Sequence, residues 1–525
     1  MRAGFRWSVP ARFNMGEACC DSWARADPTR EAVVHLRGDG AVERWSYADL
    51  KRASDGLAAS FRARGVGRGD RVGVFLAQAP EVLIAHLACY KLGAVALPLF
   101  ALFGPDALAY RLGDSGARAV VTDADGLEKV MDLAPGLPEL AAVYAVGGGA
   151  APVRDFHGEI AAAGAFEPVE TAADDPAVLI YTSGTTGDPK GVLHAHRFLL
   201  GHLPSMEANH EGFPKPGDRG WTPADWAWIG GLMDMAMPCL YYGRPQLSHR
   251  MRKFDPDYAY RLIREHGLTT LFLPPTALKL MRQADVPGGL AVRSVSSGGE
   301  ALGADLLDWG RSALGAPINE LYGQTECNLV IASCHGSMAV RPGAMGFPLP
   351  GFEVALLDGD TVLEGPGEGE IAVRRGTPGM FLRYWNKPEA TAAKFAGDWM
   401  RTGDLGRRDA DGYYWFASRD DDVITSAGYR IGPSEIETCL VGHADVVNAA
   451  VVGVPDPVRT EAVKAFVVLR DGVAWSDALA AALVARVRER VSAHVAPRQI
   501  EPIAELPMTA TGKVMRRALR ERGAG

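Results

Sequence analysis

The chain has 525 residues, several times the usual domain length, and a formal net charge of −8 from 55 Lys and Arg against 63 Asp and Glu. That length predicts one large core plus at least one smaller domain, and the charge balance excludes a global basic field for nucleic acid. Seven cysteines (19, 20, 89, 239, 327, 334 and 439) show no C-x-x-C pairing and are odd in number, so reduced thiols in a cytoplasmic chain are expected.

Along the chain, Arg2, Arg6 and Arg12 precede no apolar run, and Glu17 and Asp21 follow, so neither a secretory signal nor a short organellar presequence is expected. Residues 71–76, 81–92 and 94–99 alternate strand-like apolar runs with an amphipathic stretch, a pattern that predicts layered α/β structure up to about residue 417. The most apolar stretch, 82–103, is broken by His86, Lys91, Gly93 and Pro98 and therefore predicts a helix and a buried strand, not a membrane span. The Gly147-Gly-Gly-Ala-Ala-Pro152 segment reads as a surface loop.

Directly behind the apolar run 176–180 comes Tyr181-Thr-Ser-Gly-Thr-Thr-Gly-Asp-Pro-Lys-Gly-Val192. Glycines at 184, 187 and 191 let backbone N–H groups turn toward anionic oxygens, Thr182, Ser183, Thr185 and Thr186 add hydroxyl donors, and Lys190 adds a compact charge. This is chemistry suited to a triphosphate. The spacing does not fit the G-x-x-x-x-G-K-[ST] loop of P-loop NTPases. Further blocks follow in order: Ser297-Gly-Gly-Glu-Ala301, Tyr322-Gly-Gln-Thr-Glu326, Arg401-Thr-Gly-Asp-Leu405, Arg419-Asp-Asp-Asp-Val423, and Pro507-Met-Thr-Ala-Thr-Gly-Lys-Val-Met-Arg-Arg517.

The charged run 419–422 is the best domain boundary. Beyond it, a helix over 434–441 is predicted with Ser434 as N-cap and Glu437 completing a capping box. Strands are predicted at 446–454 and 465–469, and Ser476 should cap a helix whose Leu479, Leu483, Val484, Val487 and Val491 share one apolar face. These elements make a compact α+β unit of roughly 100 residues.

The ordered set of blocks resembles the adenylate-forming superfamily of acyl-CoA synthetases, peptide-synthetase adenylation domains and firefly luciferase. Trp221-Thr-Pro-Ala-Asp-Trp-Ala-Trp-Ile-Gly-Gly231 and Gly428-Tyr-Arg-Ile-Gly-Pro-Ser-Glu-Ile-Glu437 are most similar to its short- and medium-chain, acetyl-CoA synthetase-like group. The resemblance implies an α/β fold: a large layered N-terminal adenylation domain, 1–417, and a small mobile α+β C-terminal domain, 418–525, pivoting near Asp421. It implies an ATP-dependent carboxylic acid:CoA ligase that forms an acyl-adenylate and pyrophosphate, then an acyl-CoA thioester and AMP, using ATP, coenzyme A and Mg2+.

By positional match, Thr182, Ser183, Gly184, Thr185, Thr186, Gly187 and Lys190 would hold the β- and γ-phosphates. Thr325 would contact the α-phosphate and Glu326 would bind magnesium. Gly299, Glu300 and Ala301 would flank the adenine, with Tyr322 stacking on it and Gly323 and Gln324 beside it. Asp404 would accept the ribose hydroxyls and Arg419 would reach ribose or phosphate. Lys513 would be the adenylation lysine. After rotation of the small domain, Ala427, Gly428 and Tyr429 would face the thiol tunnel, Arg430 would stay near phosphate, and Arg459 would meet the nucleotide end of coenzyme A.

Three positions depart from the pattern: Ser418 stands where the family has glycine before the hinge arginine, and Cys327 and Asn328 stand where many relatives have Thr-Gly. Acetate-specific relatives carry tryptophan where this chain has Gly323. The other acyl-lining positions are Trp228, Ile229, Gly230 and Gly298, so a deeper pocket for a short- to medium-chain, branched or aromatic acid is expected, each buried methylene contributing about 0.8 kcal/mol. An acetate-specific enzyme, a free-standing adenylation enzyme serving a carrier protein, and a nucleotide-binding regulator without chemistry remain as alternatives. Trp226 and Trp228 fit either a core or a pocket wall.

Overall fold

The computed structural model describes residues 4–182, 188–299, 302–419, 422–426, 429–456, 460–491, 495–509 and 513–523, with the side chains of Thr425, Tyr429, Arg430 and Glu435 set aside. Within these residues the α/β alternation read from 71–99 is realised as the strand Arg71–Phe75, the helix Pro80–Leu92 and the strand Val95–Pro98. Proline at the first helical position supplies a preset φ, and Gly93, at φ 72°, ends the helix in a conformation that costs other residues a Cβ clash. The strands carry continuous apolar runs because helices cover both faces.

Two large sheets form the bulk of the chain. One has eight strands, with Arg71–Phe75, Val95–Pro98 and Ala117–Thr122 parallel at its centre and the antiparallel hairpin Pro176–Thr182/Lys190–Ala195 toward one edge, where the short strand Arg383–Tyr384 closes it. The other has nine strands; Thr270–Phe272, Ser294–Gly298 and Ile318–Gln324 run parallel and Asn328–Ala332 returns antiparallel. A six-stranded sheet built on Gly367–Arg374, Trp399–Arg408 and Tyr414–Arg419 follows.

The C-terminal segment has its own five-stranded sheet, in which Val446–Asp456 pairs antiparallel with Thr460–Leu469, and its own apolar cluster around Leu440, Val451, Val467, Leu483 and Val487. Ser476 caps the helix Asp477–Arg490 by accepting from Leu479 N, as the sequence predicts. The helix Pro433–Val441 corrects one expectation. Its N-cap is Gly432, not Ser434, and no side chain caps it. Pro433 takes the first helical position, and Glu437 accepts instead from Val451 N at 2.8 Å and from Arg516 at 2.7 Å. Among the described residues no helix is long and apolar enough to cross a membrane.

A charged group lies among the buried apolar residues of the helix Pro80–Leu92. Lys91 is fully buried, its ammonium 2.6 Å from both Asp21 and Asp55 and 2.9 Å from Ser54 Oγ. Removing the cation would leave the two buried carboxylates with Lys51 alone, 2.5 Å from Asp55 and 3.7 Å from Asp21. Lys91→Met, which keeps the volume, is expected to lower stability by about 3–5 kcal/mol, read as a drop in the urea midpoint. A loss below about 1 kcal/mol would mean that Lys51 alone suffices for both carboxylates.

Candidate active site

The loop expected to meet phosphate is flanked on both sides by the strands of one hairpin. Tyr181 pairs with Gly191 and Thr182 with Lys190, and Thr182 Oγ1 donates to Lys190 O at 3.4 Å. Ser183, Gly184, Thr185, Thr186 and Gly187 lie between them, outside the described residues. Gly191 has a packing reason of its own: a Cβ there would meet Leu179, Trp385 and Tyr181 atoms at 3.0–3.1 Å.

The strand Ile318–Gln324 delivers the second motif to the same end of the molecule. Its pairing with Asn328–Ala332 shifts register between Tyr322 and Gly323, and Asn328 sits at φ 65°. The turn leaves Thr325 half-buried and Glu326 only 8% exposed. Tyr384 brings the two motifs together, because its hydroxyl donates to Glu326 Oε1 at 2.5 Å while the Lys190 ammonium lies 5.4 Å from the centre of its ring. Burial, and then the neighbouring Glu326 charge, push the phenol pKa well above its usual value, so it keeps its proton and remains a donor.

Asp404, in the strand Trp399–Arg408, is buried and faces Arg419 across the ladder. Arg419 donates to Oδ1 at 2.9 Å, and Tyr322 OH and Gln324 Nε2 donate to Oδ2 at 2.7 and 3.3 Å. Four expected nucleotide residues, Tyr322, Gln324, Asp404 and Arg419, thus form one network. A carboxylate has about four acceptor sites, so the network leaves capacity for a further donor. Gly299 sits exposed at φ 103°, with open space where a Cβ would be; Glu300 and Ala301 lie outside the described residues.

The glycines expected to open the acyl pocket have other neighbours. A Cβ on Gly323 would lie 1.8 Å from Asn328 O, one on Gly298 2.2 Å from Leu321 Cδ1, and one on Gly230 2.9 Å from the Phe272 ring. Strand pairing explains the first two. Absence of side-chain volume at 298 and 323 is therefore no measure of pocket depth. Trp228, next to Ile229, meets the rings of Phe100 at 5.5 Å and Phe103 at 5.9 Å, whereas Trp226 is core, 1% exposed. Sequence reasoning missed Tyr384, Phe100 and Phe103; the nearby Arg383-Tyr-Trp-Asn386 string carries no spacing that marks it. It also missed a buried polar group in which His202 Nδ1 lies 3.3 Å from Asp234 Oδ1. Burial lowers the pKa of neighbouring His194, whose ring stacks on Phe198 at 3.8 Å.

In the small C-terminal unit, Lys513 is exposed; Thr509 N donates to Lys513 O at 2.7 Å and Lys513 N to Thr509 Oγ1 at 3.1 Å. The basic residues after it do not form a loose tail. Arg516 donates to both Glu437 oxygens at 2.7 and 2.8 Å, and Arg520 to Asp422 at 2.8 Å. Asp421, Ala427, Gly428 and Arg459 lie outside the described residues; Tyr429 and Arg430 belong to the strand Tyr429–Ile431.

Residues 20–385 match the model of the AMP-binding enzyme family, and residues 435–513 match that of the AMP-binding enzyme C-terminal domain. The chain belongs to the AMP-binding enzyme family. It is 33% identical to the acetyl-coenzyme A synthetase of Bacillus subtilis (strain 168), over 97% of this chain and 90% of that one. Similarity to the mitochondrial acyl-coenzyme A synthetase ACSM2 of Rattus norvegicus is equally extensive, at 33% identity over 98% of this chain and 92% of the relative. The crystal structure of the anthranilate CoA ligase AuaEII in complex with anthranoyl-AMP superposes with a TM-score of 0.90, at 27% identity, covering 98% of both chains. This member of the AMP-binding family is an AMP-forming acid–CoA ligase that uses ATP and coenzyme A.

For Gly323→Trp the packing predicts loss of soluble, ATP-binding protein, because the first side-chain carbon already overlaps a strand carbonyl. Recovery of a folded variant with a shortened acid preference would instead place the acyl pocket at 323.

Proposed function

We propose that this ligase activates short- to medium-chain, branched or aromatic carboxylic acids. The observation that carries the nucleotide half of this reading is the convergence of Lys190, Tyr384–Glu326 and the Tyr322–Asp404–Arg419 network from separate chain segments. The acid half is supported by the Phe100–Phe103–Trp228 ring cluster adjoining Ile229 and Gly230, and by the likeness to an anthranilate CoA ligase. A second reading, acetate, is favoured by the likeness to an acetyl-coenzyme A synthetase.

In the first half-reaction a carboxylate oxygen attacks the α-phosphorus, the bond to the β-phosphate breaks, and pyrophosphate leaves. Two anions must approach, so the main task is charge neutralisation and alignment by preorganised donors. Residues 182–187 and Lys190 hold the β- and γ-phosphates, Thr325 holds the α-phosphate, and Lys513 bridges acid and α-phosphate. Tyr322, Gly323, Gln324 and residues 299–301 frame the adenine, and Asp404 and Arg419 take the ribose side. No group of three or more His, Cys, Asp or Glu that could hold a metal exists among the described residues. Magnesium is held by one or two carboxylates together with phosphate and water, and Glu326 is the carboxylate here. When bound, the metal neutralises phosphate charge.

In the second half-reaction the thiol of coenzyme A attacks the adenylate carbonyl, loses its proton, and AMP leaves. Lys513 would obstruct that approach, so a rotation of 418–525 against 1–417 about Asp421 brings Ala427, Gly428 and Tyr429 to the thiol path. Arg430 then stays near phosphate and Arg459 takes the nucleotide end of coenzyme A. Seven free thiols support a reducing, cytoplasmic setting.

The test is AMP release across acids from acetate to dodecanoate, plus benzoate and branched acids, with and without coenzyme A. A coenzyme A-dependent maximum at a medium-chain, branched or aromatic acid is expected, and Lys513→Ala should cut it by about 10²–10³-fold. A maximum at acetate would select the second reading, and no AMP with any acid would discard both.

A further inference from the structure

Beyond the motif residues, the segment 381–385 touches both phosphate-handling motifs at once. Toward the phosphate-loop hairpin, Leu382 N donates to Leu193 O and Trp385 N to Gly191 O, each at 2.7 Å. Toward the Glu326 turn, Phe381 N donates to Glu326 O at 2.8 Å and the Tyr384 hydroxyl to Glu326 Oε1 at 2.5 Å. Tyr384 has little freedom of its own. It is 4% exposed, its ring lies 5.0 Å from that of Phe381, and its backbone N donates to Thr391 Oγ1 at 3.0 Å.

We propose that Tyr384 is a positioning residue that commits one oxygen of Glu326 to its phenol and leaves Oε2 to meet the magnesium of MgATP. The inference rests on Glu326 being the metal carboxylate. Mg2+ demands near-octahedral geometry, so a carboxylate free to swing or to offer both oxygens is a poorer ligand than one held to a single oxygen. Partners outside the ligand shell orient the ligands and commonly change metal affinity or activity by about 10–100-fold when removed. The ring has a separate part: its face lies near the Lys190 ammonium, a contact of the cation–π kind that survives loss of the hydroxyl.

The experiment compares full-length wild type, Tyr384→Phe, Tyr384→His and Glu326→Gln by calorimetric ATP binding, first in chelator and then across a Mg2+ titration, beside Mg2+-dependent pyrophosphate release. Tyr384→Phe is expected to bind metal-free ATP as wild type does. Its half-saturating Mg2+ should rise by about tenfold or more, with KM for MgATP rising more than kcat falls. Tyr384→His, which keeps an N–H donor, should recover part of the shift. Equal Mg2+ dependence in wild type and both Tyr384 variants, with Glu326→Gln still altered, overturns the positioning role alone. An unaltered Glu326→Gln overturns the assignment of Glu326 itself.

Discussion

The active end of this enzyme depends on a seam between its two large sheets. Arg197 donates to the carbonyls of Thr377, Pro378 and Met380, and Gly201 packs so closely on Gly379 that a Cβ would fall 2.1 Å from its backbone N. That contact fixes where 377–380 ends and therefore where 381–385 can run. From there the chain hydrogen-bonds to the phosphate-loop hairpin of one sheet and to the Glu326 turn of the other. A backbone ladder holds the Lys190 hairpin and the Glu326 turn at a set separation more stiffly than side chains alone.

The nucleotide network follows the same logic. Asp404 and Arg419 occupy facing positions of adjacent strands, so the ladder itself aligns carboxylate and guanidinium, and Tyr322 reaches them from the nine-stranded sheet. Together with Tyr384 of the eight-stranded sheet, three sheets therefore contribute to this cluster of side chains. In the C-terminal unit the equivalent brace is ionic: Asp422 pairs with Arg516 and Arg520, and Glu437 with Arg516. This holds the helix Arg516–Gly523 against Asp422 and the helix Pro433–Val441.

The family was legible because phosphate chemistry restricts residue type. Glycine, hydroxyl and lysine in 181–192, and Gln-Thr-Glu after a strand, keep their character wherever the loops sit. The secondary structure was readable where one local rule dominates, as with Ser476, which caps its helix as expected. It failed at Ser434, where Pro433 had already claimed the first helical position and Glu437 was drawn to Val451 N and Arg516, partners far away in sequence.

The sequence by itself determined the family and the α/β alternation, because these depend on local spacing and on chemistry that tolerates little substitution. Only the tertiary structure decided that Gly323 answers a neighbouring strand carbonyl and that Arg516 is an internal brace. It also decided that Tyr384 joins Lys190 to Glu326. Those roles are set by what stands opposite a residue after folding, and no single-chain pattern records the neighbour across a sheet.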